Sequence, residues 1–160
     1  MSNHNGLVIT AEAGLPFVDA IREIDAPVTD VYRAYTEPNL VAQWLGPREM
    51  ITEMGEYNVT IGGRWQMTHR NPEGAAFGFR GVFHDVAPED HIVQTFEFDG
   101  APGHASLERV SFADLGGRTR ITVHAVYQSV ADRDAIVASG MERGMSEGYD
   151  RLEELLAAGK

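Results

Sequence analysis

The chain has 160 residues, a formal net charge of -11 and no cysteine. The length fits a single domain with a sizeable core, and the lack of cysteine excludes disulfides, thiolate metal sites and cysteine nucleophiles. The negative charge argues against nucleic acid or an anionic membrane as a partner. With no apolar run of about 18 residues and no signal peptide in MSNHNGLVIT, a cytoplasmic protein is expected.

The first part of the chain predicts a strand followed by two short helices. Residues 1–15 are expected to be a partly ordered tail, and residues 16–160 a single domain. Apolar and polar residues alternate over 17–25, which predicts a strand. Pro27 and Pro38 each suit the first turn of a helix. The second helix should end at Gly46 and Pro47.

Six further strands are predicted between residues 50 and 128, where the hydrophobic period is two. Turn-forming sequences such as Asn71-Pro72-Glu73-Gly74 and Gly116-Gly117 separate them. Connections this short join antiparallel neighbours. The predicted strands are 50–58, 63–70, 77–86, 91–98, 105–112 and 118–128.

The last 30 residues predict one long amphipathic helix over 131–158. Apolar residues recur there at spacings of three and four. Gly140, Gly144 and Gly148 are four residues apart and would share one face. Each internal glycine costs about 1 kcal/mol relative to alanine. The glycines therefore indicate either close packing of the helix or room left for a ligand between helix and sheet.

The predicted architecture is α+β: a curved seven-stranded antiparallel sheet around one long C-terminal helix, with two short helices after the first strand. A sheet of this size twists and curls. A curved sheet that holds a helix seldom fills completely with side chains, so a cavity between them is the expected ligand site.

Several side chains should face that cavity. Trp65, Met67 and His69 share one face of their strand. His69 is either a hydrogen-bonded structural residue or a polar group at the cavity. Gln94 shares a face with apolar neighbours, and alternation places Glu108 inward, where burial would raise the pKa of its carboxyl. A frayed strand end that leaves Glu108 in solvent is the simpler alternative.

No metal, cofactor or familiar catalytic motif is expected. The six histidines form no HxH or HxxxH pair. The sequence contains no nucleophile elbow, Walker-type loop or dinucleotide fingerprint. The sequence therefore favours a binding protein over an enzyme.

An ordered set of short segments carries a resemblance to a known family, from about residue 17 to the end. The segments are Ile24-Asp25-Ala26-Pro27, Val31-Tyr32, Pro38 through Trp44, Gly46-Pro47, Ile61-Gly62-Gly63-Arg64-Trp65, Gly81-Val82-Phe83, Val86-Ala87-Pro88-Glu89, Asp114-Leu115-Gly116-Gly117-Arg118-Thr119 and Gly148-Tyr149-Asp150-Arg151-Leu152 through Leu156. In these segments the chain resembles the SRPBCC superfamily. Within it, the chain resembles the group named for homology to the C-terminal domain of the activator of the heat-shock-protein-90 ATPase.

The resemblance implies a helix-grip fold, as in START domains and birch-pollen allergens, whose cavity under the last helix binds hydrophobic small molecules. The expected occupant is an apolar or aromatic small molecule. The expected ligand-binding residues are Trp44, Trp65, Met67, His69, Phe79, Gln94, Phe96, Met145 and Tyr149. Tyr149 stands where relatives often have tryptophan, and Gln94 where they often have an apolar residue, which would make this cavity more polar.

Two other functions are left open by the resemblance. The first is a polyketide cyclase- or hydratase-like enzyme that uses His69 and Glu108 as acid or base. The second is a co-chaperone of the heat-shock-protein-90 ATPase, which is disfavoured because the eukaryotic activator carries a further N-terminal domain that this sequence lacks. A homodimer is compatible with the sequence.

Overall fold

The structure is a computed structural model that describes residues 6–159. These residues form eight strands and four helices, which confirms the predicted α+β class. The strands are β1 (Val8–Thr10), β2 (Phe17–Ile24), β3 (Ile51–Tyr57), β4 (Arg64–Arg70), β5 (Ala76–Ala87), β6 (His91–Phe98), β7 (Ser106–Asp114) and β8 (Thr119–Val126). The helices are α1 (Val28–Thr36), α2 (Pro38–Trp44), α3 (Val130–Ala138) and α4 (Met141–Ala158).

The strands form one antiparallel sheet in the order β1-β2-β8-β7-β6-β5-β4-β3. Strands β3 to β8 follow one another as hairpins, as the short turns predicted. The turn between β7 and β8 has positive φ at both Gly116 and Gly117, which suits a tight two-residue hairpin. Bulges in β3 and in β5 bend the sheet.

The strand count differs from the prediction, because the sheet has eight strands and not seven. The additional strand is β1, which lies in the segment expected to be a partly ordered tail. It pairs with β2, where Val8 lies opposite Ile21. Alternation over three residues is too short to indicate a strand from sequence. Residues 1–5, also part of the predicted tail, lie outside the described residues.

The predicted single helix over 131–158 is also wrong, because the structure has two helices there. Ser129 caps the start of α3, where its hydroxyl accepts a hydrogen bond from the Asp132 amide at 3.0 Å. The chain turns at Gly140, whose φ of 92° lies in the left-handed region that favours glycine. Gly140 therefore ends the first helix and does not share a helix face with Gly144 and Gly148.

The α4 helix covers the concave face of the sheet, where polar as well as apolar contacts hold it. Leu152 and Tyr149 of α4 are buried in the main core. Arg22, inward-facing on β2 and only 4% exposed, forms ion pairs with Asp150 and Glu153 of α4, each at 3.0 Å. The helix is thereby fixed in position over one half of the sheet.

Candidate functional site

A cavity of about 330 Å³ lies between the sheet, α4 and the α1–α2 segment. Its size is at the lower end of the range for small-molecule sites. Strands β4 to β8 supply one wall, and Gly144, Met145, Gly148 and Tyr149 of α4 supply another.

All nine predicted ligand-binding residues line this cavity, and so does Glu108. The strands contribute Trp65, Met67, His69, Phe79, Gln94, Phe96 and Glu108, and the helices contribute Trp44, Met145 and Tyr149. Alternation along the strands was sufficient to place the sheet residues on the inner face.

The two glycines of α4 border the cavity in different ways. A Cβ at Gly148 would lie 3.3 Å from the Trp44 carbonyl oxygen and from the Gly46 amide nitrogen, so α4 approaches the end of α2 closely there. A Cβ at Gly144 would approach only Pro47, at 3.7 Å. Close packing therefore explains Gly148, whereas Gly144 leaves space at the cavity wall.

The two tryptophans line the cavity, and their polar NH groups are satisfied elsewhere. The Trp44 indole NH donates to the Ala34 carbonyl oxygen at 2.9 Å, and its ring stacks on Tyr149 at 5.9 Å. The Trp65 indole NH donates to the Thr95 carbonyl oxygen at 3.2 Å. Both indoles therefore offer apolar surface for aromatic contacts with a ligand.

His69 is both a structural residue and a cavity group. The Thr52 hydroxyl donates to the Leu45 carbonyl oxygen at 2.8 Å, so it accepts at 2.9 Å from His69 Nδ1. Nδ1 therefore carries the proton, while Nε2 has no hydrogen-bond partner among the described residues. Burial, and then the positive charge of Arg151, lower the pKa of His69. The neutral ring thus offers Nε2 as an acceptor at the cavity.

Replacing Thr52 by valine should shift the proton of His69 from Nδ1 to Nε2, because Nδ1 would lose its acceptor. We expect the free energy of unfolding to fall by about 1–2 kcal/mol with the loss of the two hydrogen bonds. Imidazole ¹⁵N chemical shifts report the tautomer. Thr68→Val serves as the control, because it makes the same substitution next to His69 in β4 but on the opposite face of the sheet. An unchanged tautomer in Thr52→Val would contradict this assignment.

Glu108 faces the cavity, so the expectation of a solvent-exposed strand end is wrong. It lies within β7, between Gln94 of β6 and Ala125 of β8 in the register. Burial raises the pKa of its carboxyl from 4.5 to about 7. Its remaining accessible surface faces the cavity, and the carboxyl has no hydrogen-bond or ion-pair partner within residues 6–159.

Three tyrosines that the sequence did not identify as site residues also line the cavity: Tyr35, Tyr57 and Tyr127. The Tyr35 hydroxyl donates to the Tyr149 hydroxyl at 3.1 Å, and the Tyr57 hydroxyl donates to the Tyr35 carbonyl oxygen at 2.7 Å. Tyr127 continues the inward alternation of β8 and could have been identified from it. The helical Tyr35 gave no such signal, since only tertiary packing brings α1 to the sheet.

His69 and Glu108 do not form an adjacent pair. Their strands, β4 and β7, are three positions apart in the sheet. At about 4.8 Å per strand, the two strands lie about 14 Å apart along the curved sheet. The His69 imidazole and the Glu108 carboxyl are therefore two separate polar groups in the wall of one cavity.

Neither a metal centre nor a membrane span emerges from the part of the chain that the structure describes. No three His, Asp or Glu side chains there are grouped to hold a metal ion. No helix there combines the length and apolar character that crossing a bilayer requires.

Solved structures share this fold over nearly the whole chain. A crystal structure of a Rhodobacter sphaeroides protein is 24% identical, with a TM-score of 0.87, and the match covers 96% of this chain and 99% of that chain. Protein Ms6760 from Mycobacterium smegmatis is 19% identical, with a TM-score of 0.85 and coverage of 93% and 95%. DynU16, from the dynemicin biosynthetic locus, is 21% identical with a TM-score of 0.66. The match covers 91% of this chain and about half, 48%, of DynU16.

The family assignment follows from the sequence match together with this fold. A comparison with curated proteins gave no match. At sequence identities this low, similarity to the solved structures shows a common fold only. Function does not follow from fold. The model of the family described as "Activator of Hsp90 ATPase homolog 1-like protein" matches residues 25–157, and the chain therefore belongs to this family of the SRPBCC superfamily.

Proposed function

We propose that this protein binds an apolar or aromatic small molecule in the cavity between the sheet and α4. The observation that carries the proposal is the cavity itself, about 330 Å³ in volume and lined mainly by apolar and aromatic side chains. A few polar groups among many apolar ones are typical of small-molecule sites. Trp44 and Trp65 supply flat walls, Met67, Phe79, Phe96 and Met145 fill the sides, and His69 or Gln94 supplies a polar anchor.

A ligand panel tests the proposal through thermal stability. A compound that binds the folded state at about 100 times its Kd stabilises it by about 2.7 kcal/mol. For a chain of this size, that should raise the Tm by about 5–10 °C. The panel should contain aromatic natural products, because one structural relative comes from the dynemicin biosynthetic locus. Native mass spectrometry of freshly purified protein would show the mass of any ligand retained.

Two variants at Gly144 provide a matched control. Gly144→Leu should fill the cavity and abolish the Tm increase caused by the ligand. Gly144→Ala should keep that increase, because a Cβ there meets nothing closer than Pro47 at 3.7 Å. If no compound protects the wild type, and Gly144→Leu merely stabilises it, the proposal is wrong.

The cyclase- or hydratase-like alternative remains a prediction. A neutral His69 with a free Nε2 and a Glu108 carboxyl with a pKa of about 7 are chemically suited to acid–base work. Because they lie three strands apart, they would have to act on different atoms of one ligand. The co-chaperone function remains the disfavoured alternative, the homodimer remains compatible with the sequence, and the cytoplasmic location remains a prediction.

A further inference from the structure

Glu108 lines a largely aromatic cavity as an acid without a partner among the described residues. Its neighbours in the register are the amide of Gln94 and the methyl group of Ala125. Neither a hydrogen bond nor an ion pair joins the carboxyl to any residue in the described range. Acidic side chains are rarely buried unless they are paired. This position therefore points to a group that residues 6–159 do not supply.

Within residues 6–159, no positive side chain is available to pair with this carboxyl. The residues that line the cavity include neither lysine nor arginine. Arg22 lies on the same face of the sheet, but its guanidinium pairs with Asp150 and Glu153 at 3.0 Å each. The neutral His69 lies three strands away. In this part of the chain, no free positive group faces Glu108, so a ligand is the natural source of a compensating charge.

The groups around Glu108 are also suited to a cation. Burial raises the pKa of three phenols that line the same cavity: Tyr35 of α1, Tyr127 after β8 and Tyr149 of α4. The negative charge of Glu108 raises each of these pKa values further, so the three side chains lie near its carboxyl. The Trp44 ring stacks on Tyr149. The faces of tyrosine and tryptophan rings attract ammonium groups. Three elements therefore place π-electron-rich rings next to one unpaired carboxylate.

We propose that the cavity selects protonated organic amines with an aromatic or other apolar body, whose ammonium group pairs with the Glu108 carboxylate. The inference rests on the proposed function and specifies its ligand class. The apolar body would lie against the Trp65 side of the cavity. A neutral ligand that accepts a hydrogen bond from protonated Glu108 is the competing outcome.

Pairing of this kind makes affinity depend on pH. Because burial raises the pKa of Glu108 to about 7, the carboxyl must lose its proton before it can pair with an ammonium group. Of the groups that face it, Tyr149 has a pKa raised to about 12, and the pKa values of Tyr35 and Tyr127 are raised as well. These phenols stay protonated at neutral pH. Amine affinity should therefore increase as pH rises through about 7.

The test compares two probes of equal size, 2-naphthylmethylamine and 2-naphthylmethanol, by calorimetry. For the wild type at about pH 8, we expect the amine to bind roughly tenfold or more tightly than the alcohol, from the ion pair and the cation–π contact. At about pH 5 this preference should fall by about tenfold or more, since the carboxyl is then protonated. The alcohol should show little dependence on pH.

Two variants complete the design. Glu108→Gln should bring the affinities for amine and alcohol within about threefold of each other, and its melting curve shows whether it is folded. Glu73→Gln makes the same change on an exposed turn and should keep the amine preference.

Equal binding of both probes by the wild type, or an amine preference that survives Glu108→Gln, would overturn the amine inference and leave the proposed function intact. If the amine binds and the alcohol does not, the inference stands. If neither probe binds, the amine inference fails, and the ligand panel separately decides the proposed function.

Discussion

Glu108→Gln is expected to stabilise the protein at about pH 8 and to have little effect at about pH 4. Burial raises the pKa of Glu108 from 4.5, its ordinary value in an unfolded chain, to about 7. Between these two values the unfolded chain releases the proton while the folded chain keeps it. The contribution of Glu108 to stability is therefore complete below about pH 4.5 and is lost as pH rises to about 7.

The size of this effect is set by the pKa difference and reduced by water in the cavity. A full conversion of the pKa difference would give about 3 kcal/mol. The cavity admits water, which screens part of the cost, so we expect the variant to gain about 2 kcal/mol over the wild type between about pH 4 and about pH 8. Urea unfolding of both proteins across this range measures the difference directly.

The matched control is Glu73→Gln, because Glu73 is exposed. The difference between this variant and the wild type should not change with pH. If the difference for Glu108→Gln is also flat, Glu108 ionises as an ordinary surface carboxylate. The buried-acid description, and with it the pH dependence expected for amine binding, would then be wrong.

Gly81→Ala is expected to lower the free energy of unfolding by about 3 kcal/mol, because a methyl group has no space at this position of β5. A Cβ there would lie 1.9 Å from the Thr95 carbonyl oxygen and 2.4 Å from Trp65 Nε1. These two atoms form the hydrogen bond that positions the Trp65 indole. The variant should therefore also shift the tryptophan fluorescence, since this indole forms part of the cavity wall.

Gly144→Ala is the comparison for this prediction, because it makes the same substitution where there is space. Its Cβ would approach only Pro47, at 3.7 Å, and the residue lies within α4. The gain in helix propensity should raise stability by about 0.5–1 kcal/mol. If Gly81→Ala were as stable as the wild type, the Trp65 indole could not lie as close to Gly81 of β5 as these distances require.

Prediction from sequence succeeded where the relevant signal is local. The alternation of β4 placed Trp65, Met67 and His69 on the inner face, and the alternation of β6 did the same for Gln94 and Phe96. It failed at Gly140, because glycine at a spacing of four is compatible both with a helix face and with a helix break. It also failed for β1, whose three residues form a strand only because β2 offers a free edge.

Sequence by itself determined the α+β class, the hairpin order of the strands and the set of residues that face inward, because these follow from periodicity and turn chemistry within short segments. Only the tertiary structure decided that Glu108 has no partner among the described residues, that Thr52 fixes the proton of His69, and that Tyr35 and Tyr149 meet beside the cavity. These facts depend on which elements pack together in space. Alternation shows that a side chain points inward, but the residues it meets there come from distant parts of the chain.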